Sequence, residues 1–340
     1  MGLASVVCDA CGVRRAVVLQ RHTGRRLCRE CFREDIVRRV RREVERWGMI
    51  GPGETVLLGL SGGKDSYVLL DALSEIVGPS RLVAVSIVEG IPGYNREGDV
   101  DEIRRVAAAR GVDVIVTSIR EYVGASLYEV YARARSRGAA HAACTYCGIS
   151  RRRILALYAR LYGAHKVATA HNLDDEAQTA IVNFLRGDWV GMLKTHPLYR
   201  SGGEDLVPRI KPLRKVYEWE TASYVVIHRY PVQEAECPFI NMNPTLRARV
   251  RAALRVLEEE RPGTLLRMME RLDVTLEQLA QAMKPSSLGR CERCGEPTSP
   301  KRRLCKLCEL LEEAGFYEPI YAIAGGGKRL RLQSPTARPG

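Results

Sequence analysis

Apolar residues in this chain of 340 residues come in short unbroken runs separated by amphipathic stretches. Thr55–Leu60 (TVLLGL) is one such run, and it reads as a strand buried on both faces. Leu82–Val88, Val112–Thr117 and Lys166–Thr169 repeat the pattern. Between them, Tyr67–Ile76, Asp99–Arg110 with Asp99 as N-cap, Ser150–Tyr162 and Asp174–Leu185 carry helical apolar spacing. Strand, loop and helix in alternation predict a parallel sheet covered by helices. Ligands of such sheets bind at the carboxyl ends of the strands.

Outside this core the pattern changes. A mixed-charge surface helix is expected over Glu34–Trp47, and Gly48–Glu54 reads as a turn. Further helices are expected over Glu218–Arg229, Thr245–Glu260 and Asp273–Met283, with a loop at Arg200–Glu204 and a linker at Lys284–Ser287. Three units follow: residues 1–33, 34–285 and 286–340.

Composition narrows the classes. The hydrophobic share of 46% suits a soluble globular chain. No apolar run nears the roughly 18 residues needed to cross a bilayer, and the first residues lack the basic segment of a signal peptide. A reducing, cytoplasmic setting is expected, in which clustered cysteine pairs read as metal ligands. The formal charge of +13, carried largely by arginine, favours a polyanionic partner. A thermophilic chain with solvated charged faces has the same composition.

The 11 cysteines fall into two sets of four and a remainder of three. Cys8, Cys11, Cys28 and Cys31 leave sixteen residues between their pairs, and Cys291, Cys294, Cys305 and Cys308 leave ten. Each set can close a tetrahedral zinc site with no open position, a structural arrangement. Flanking arginines (Arg25, Arg26, Arg29 and Arg33; Arg290, Arg293, Arg302 and Arg303) offer a grip on nucleic acid as a second role. Cys144 and Cys147 form a further CxxC, with Cys237 ninety residues beyond. Three ligands leave a coordination position open. Inert core thiols, a redox pair and an iron–sulfur site with one free iron all remain open on these residues. His22, His141, His165, His196 and His228 show no ligand spacing.

Ser61-Gly62-Gly63-Lys64-Asp65-Ser66 lies between a buried strand and a helix. Its glycines let the backbone approach a phosphate, Lys64 adds a cation and Ser66 a hydroxyl. Asp65 suggests a metal ion bridging to the phosphates. The glycine spacing is not that of P-loop ATPases. SGGKDS after a strand resembles the loop of the PP-loop ATP pyrophosphatases. Thr169-Ala170-His171-Asn172-Leu173-Asp174-Asp175 resembles their second signature, with alanine at 170 where that family has glycine. The plain alternative for Asp174 and Asp175 is ordinary helix N-terminal charge.

CTYCG followed by ISRRR, then NFLRGD and ECP, resembles the tRNA 2-thiolation branch of that superfamily, the TtcA/TtuA family. The nearest resemblance is to TtuA-type and cytosolic tRNA 2-thiouridine synthetases. It spans nearly the whole chain, including both terminal cysteine modules, Glu89-Gly90-Ile91 and Gly93-Tyr94. It implies an α/β fold: a parallel-sheet PP-loop ATP pyrophosphatase domain, residues 34–285, flanked by N- and C-terminal four-cysteine zinc modules. It also implies ATP contacts at Ser61, Gly62, Gly63, Lys64, Asp65, Ser66, Ser86, Arg151, Ala170 and Asp175. Catalytic roles would fall to Lys64, Asp65, Asp175, Cys144, Cys147 and Cys237. The three cysteines match positions that hold a 4Fe-4S cluster; on an older proposal, two of them form a persulfide and a disulfide instead. Mg²⁺ as the bridging ion, two Zn²⁺, a ubiquitin-like sulfur carrier with a C-terminal thiocarboxylate, tRNA as substrate and a homodimer are implied likewise. The expected reaction adenylates uracil O2 and replaces that oxygen with sulfur, in the thymine loop or at the wobble position. Another PP-loop tRNA ligase, such as a lysidine synthetase, would not need the cysteine triad. A non-catalytic zinc-ribbon RNA-binding protein would not need Lys64, Asp65 and Asp175.

Overall fold

The computed structural model describes residues 6–94, 99–199, 206–232, 237–239, 245–282 and 288–316. The loop expected at 200–204, the linker at 284–287 and Glu236 of ECP lie outside the described residues. An antiparallel pair, β1 (Val18–Gln20) and β2 (Arg25–Leu27), leads into α1 (Arg29–Arg46). The central elements are β3 (Val56–Gly59), α2 (Lys64–Ile76), β4 (Leu82–Val88), α3 (Val100–Ala108), β5 (Val114–Ser118), α4 (Ile119–Val123) and α5 (Leu127–Ser136). They continue with α6 (Ala143–Leu161), β6 (Lys166–Ala168), α7 (Leu173–Leu185), α8 (Trp189–Leu193), β7 (Arg209–Ile210) and α9 (Glu218–Ile227). Two long helices, α10 (Leu246–Glu260) and α11 (Thr264–Ala282), precede β8 (Gly289–Arg290), β9 (Pro297–Thr298) and α12 (Lys306–Glu313).

The sheet order is β5-β4-β3-β6-β7, all parallel. The chain builds outward from β3 through β4 to β5, then returns to lay β6 and β7 on the other side of β3. The order therefore reverses between β3 and β6, and that switch point is where a ligand crevice opens.

The sheet is buried on both faces, which explains its unbroken apolar runs. Val56 and Leu58 of β3 point into one core with α1, α2 and α9. Leu57 points into the other, with α5, α6 and α12. The two terminal modules join opposite cores: Cys8 and Cys28 belong to the first, and Cys291, Cys305 and Cys308 to the second. A third core gathers α7, α8, α10 and α11.

Several elements depart from the expected bounds. α1 starts five residues early because Cys28 caps it, its Sγ accepting from the Cys31 N–H at 3.5 Å. α2 starts at Lys64, so the second half of SGGKDS is helical. Asp99 sits at the N-cap of α3 but makes no side-chain cap hydrogen bond. α6 starts at Ala143, so Cys144 and Cys147 lie within its first turns rather than ahead of it. α11 starts at Thr264, and Asp273 is an interior residue buried against Arg214.

Candidate functional site

β3 ends at Gly59 and the chain turns through Gly62 at φ +74°, a left-handed conformation suited to glycine. A Cβ at Gly62 would also stand 3.0 Å from Ile103 Cδ1. Gly63 caps α2 with extended backbone, and the Ser66 hydroxyl donates to the Gly63 carbonyl at 2.8 Å. Unused N–H groups at this helix start can receive phosphate oxygens. Lys64 Nζ lies 3.0 Å from Asp65 Oδ2 and 3.2 Å from Glu218 Oε1. Burial works against its charge, yet these two carboxylates hold the ammonium above its usual range. Glu218 is held in turn by Arg251 at 2.9 Å.

The segment after β6 meets this loop across the switch point. The Asn172 amide donates to Asp65 Oδ1 at 3.1 Å, and Thr221 Oγ1 donates to the same oxygen at 2.6 Å. Asn172 and Asp175 form a capping box at the start of α7, with the Asp175 N–H on Asn172 Oδ1 at 3.0 Å. Arg247 Nη2 pairs with Asp175 Oδ1 at 3.1 Å. Helix capping and a place at the site are thus compatible for Asp175. Burial pushes the Asp174 carboxyl up to about 6, the opposite of a helix N-terminus effect, while it accepts the Glu218 N–H at 2.7 Å. Ala170 is partly buried against the first core, and Ser86 is buried within β4. An open cavity of ≈ 920 Å³ spreads from Lys64, Asp174 and Glu218 over Trp219 toward β1. Of the Ser61–Ser66 loop only Lys64 lines it.

The three remaining cysteines converge on Arg151. Burial pushes the Cys147 thiol up to about 11, opposed by Arg151, with Glu89, Cys144 and Cys237 also acting on it. Burial raises Cys237 as well. The Cys147 sulfur in turn raises Arg151, whose Nη1 stands 3.6 Å from Glu89 Oε1. Cys144 is exposed and the other two are half-buried. Thiols raised in this way are poor free nucleophiles at neutral pH but can lose their protons to a metal. Among the described residues, the three sulfurs do not gather as closely as the two sets of four. A cluster of several irons spaces its thiolates more widely than one ion does.

Each set of four is compact. The sulfurs of Cys8, Cys11, Cys28 and Cys31 lie within 4.8 Å of one another, as do those of Cys291, Cys294, Cys305 and Cys308. Tetrahedral zinc with bonds of about 2.3 Å needs sulfurs roughly 3.8 Å apart, so both sets fit such an ion.

Sequence reasoning missed Glu218, Thr221, Arg247 and Arg251. They reach the site from α9 and α10, distant in the chain. Glu89 was noted only within a resemblance, and its placement beside Arg151 comes from β4 ending there.

A glycine loop and an acid-bearing segment facing each other at the switch point of a parallel sheet define a nucleotide-binding protein of the PP-loop class. Residues 34–255 match the PP-loop domain family, and residues 7–33 match the N-terminal LIM domain of the 2-thiouridine synthetase TtuA. Within that class the chain belongs to the tRNA 2-thiolation proteins. It is 34% identical to the cytoplasmic tRNA 2-thiolation protein 1 of Bos taurus over 336 residues, 98% of this chain and 94% of that one. It is 35% identical to the tRNA 2-thiolation protein NcsA of Haloferax volcanii, covering 90% of this chain and 98% of that one. Its fold is similar to a solved structure of the U34-tRNA thiolase NcsA from Methanococcus maripaludis with its 4Fe-4S cluster. There the TM-score is 0.72 at 27% identity, over 91% of this chain and 97% of the other.

Proposed function

We propose that this protein is an ATP-dependent tRNA-uridine 2-sulfurtransferase acting in the cytoplasm, the location in the bovine relative's name. The observation that carries the reading is the hydrogen bond from Asn172 to Asp65, which joins the two nucleotide motifs beside a separate three-cysteine site. The Ser61–Ser66 loop binds the ATP phosphates, with Ser86, Arg151 and Ala170 as further contacts. Lys64, held by Asp65 and Glu218, is placed to offset phosphate charge as pyrophosphate departs. Asp65 and Asp175 would hold Mg²⁺, which would help to offset phosphate charge. Uracil O2 attacks the α-phosphorus and the bond to pyrophosphate breaks. Sulfur delivered at Cys144, Cys147 and Cys237 then forms a bond to C2, and AMP leaves with the former O2. The target uridine leaves its stack to reach the site.

Cys144, Cys147 and Cys237 are the residues we assign to a 4Fe-4S cluster, supported by the burial-raised thiols of Cys147 and Cys237 and by the cluster of the Methanococcus relative. Such a cluster supplies one iron without a protein ligand, open to exogenous sulfide. The two sets of four are assigned to structural Zn²⁺ in modules 1–33 and 286–340, with residues 34–285 as the catalytic unit. A thiocarboxylated ubiquitin-like carrier as donor and a homodimeric state complete the proposal. The Methanococcus relative's name favours the wobble uridine. Anaerobically reconstituted protein should release AMP from ATP only with tRNA, and mass spectrometry should find 2-thiouridine in the anticodon fragment. No AMP under these conditions overturns the enzyme reading, and thiouridine confined to the thymine-loop fragment overturns the position.

A further inference from the structure

The run Arg151-Arg152-Arg153 divides three ways on α6. Arg151 turns to Glu89 and the cysteines. Arg153 Nη1 pairs with Glu296 at 2.7 Å and braces the C-terminal module. Arg152 is exposed and forms no ion pair among the described residues. Its guanidinium folds back along the helix: Nη2 lies 3.9 Å from where a side chain on Gly148 would begin, one residue beyond Cys147.

A second uncompensated arginine stands nearby. Arg209 pairs in register with Val167, whose side chain is buried in the core beneath α6. Register partners share a face, so Arg209 lies on the α6 side of the sheet, on its edge strand. It too is exposed and forms no ion pair among the described residues. The neighbouring acid, Glu176, is claimed by Lys211 Nζ at 2.7 and 2.8 Å. Although both side chains reach solvent, the protein packed around them desolvates them: this, then the like charges of Arg209 and Arg151, push the Arg152 guanidinium below its usual range. The same desolvation lowers Arg209, against the pull of Glu176.

Two adjacent guanidiniums without a carboxylate make a receptor for a phosphate, which they can grip through paired N–H donors. ATP has its own cradle at the Ser61–Ser66 loop, following β3, whereas Arg209 stands on β7, the second strand away. A tRNA that inserts a uridine must also bring the flanking phosphodiesters past the rim of the site. We propose that Arg152 and Arg209 form a phosphate clamp that grips the tRNA backbone beside the inserted uridine. The clamp rests on the thiolation reading and names how that substrate is held.

The test is tRNA affinity of the full-length protein between about 50 and 200 mM salt, for wild type, Arg152→Gln, Arg209→Gln and the double variant, with ATP affinity measured separately without tRNA. Each single variant should reduce the slope of log Kd against log salt by about one, and the double variant by about two. ATP affinity, zinc content and melting temperature should match wild type. Unchanged slopes in the double variant overturn the clamp and leave the thiolation reading standing. Lost ATP affinity with tRNA affinity intact also overturns it, assigning the pair to the nucleotide. Wild-type protein that binds no tRNA overturns the thiolation reading and the clamp together.

Discussion

Gly62 carries two constraints at once: a left-handed backbone at φ +74° and a side-chain position already filled by Ile103. A non-glycine residue in this conformation costs roughly 1–2 kcal/mol, before Ile103 is made to move. Gly62→Ala should therefore lower stability by about 2 kcal/mol in denaturant unfolding and weaken ATP binding, because the turn sets the amides at the start of α2. Undiminished ATP affinity would remove the loop from the phosphate site. The importance of this residue was legible because glycines between an apolar run and a helix are a local signal. Glu218 was not legible. It reads as an ordinary first-turn acid until folding brings it 3.2 Å from Lys64, across more than 150 residues of chain.

Among the elements, the inner strands of the sheet were readable, as were α9 and α10, whose bounds differ by no more than two residues, and α11 was the least so. Burial on both faces leaves a continuous apolar run, whereas α11 hides its cohesion in the buried pair of Arg214 with Asp273. β7 escaped notice because two residues at a sheet edge leave too short a pattern. The contact between α1 and the segment after α8 depends on His196, which is 3% exposed and stands edge-on to Trp47 with ring centroids 4.9 Å apart. Burial lowers its pKa below the ordinary 6.5. The unfolded chain then takes up the proton first on acidification, so this histidine stabilises the fold above about pH 6.5 and loses that contribution as pH falls toward its folded pKa. His196→Gln should lose less melting temperature than wild type between pH 7.5 and 5.5, whatever its stability at the upper pH. An identical loss in both proteins would assign the acid sensitivity to other groups.

At the scale of the molecule, the two terminal cysteine modules support different halves of the site. The first reaches the nucleotide loop through a buried relay. Gln20, fully buried at the end of β1, donates to Asp35 at 2.8 Å and to Glu220 at 3.0 Å. Arg39 holds the same Glu220 oxygen at 2.5 Å, and the other oxygen accepts the Tyr217 N–H at 3.0 Å. That sets the first turn of α9, which carries Glu218 to Lys64. The second module braces α6 instead, through Arg153 with Glu296 and through Glu313, which accepts from Tyr146 at 3.2 Å beside Cys147. No helix among the described residues is long and apolar enough to cross a membrane. A zinc ion in each proposed site would supply on the order of 10–16 kcal/mol, so losing it should release whatever the module holds. Cys11→Ser should cost one zinc per chain and raise the KM for ATP several-fold, with the iron content of the triad kept. Cys294→Ser should also cost one zinc but lower iron content and thiolation, with the KM for ATP near wild type. Metal analysis beside steady-state AMP release separates the outcomes. Equal effects of the two variants on both readouts would mean that the modules act only through global stability, and the division between opposite faces of the sheet would carry no functional weight.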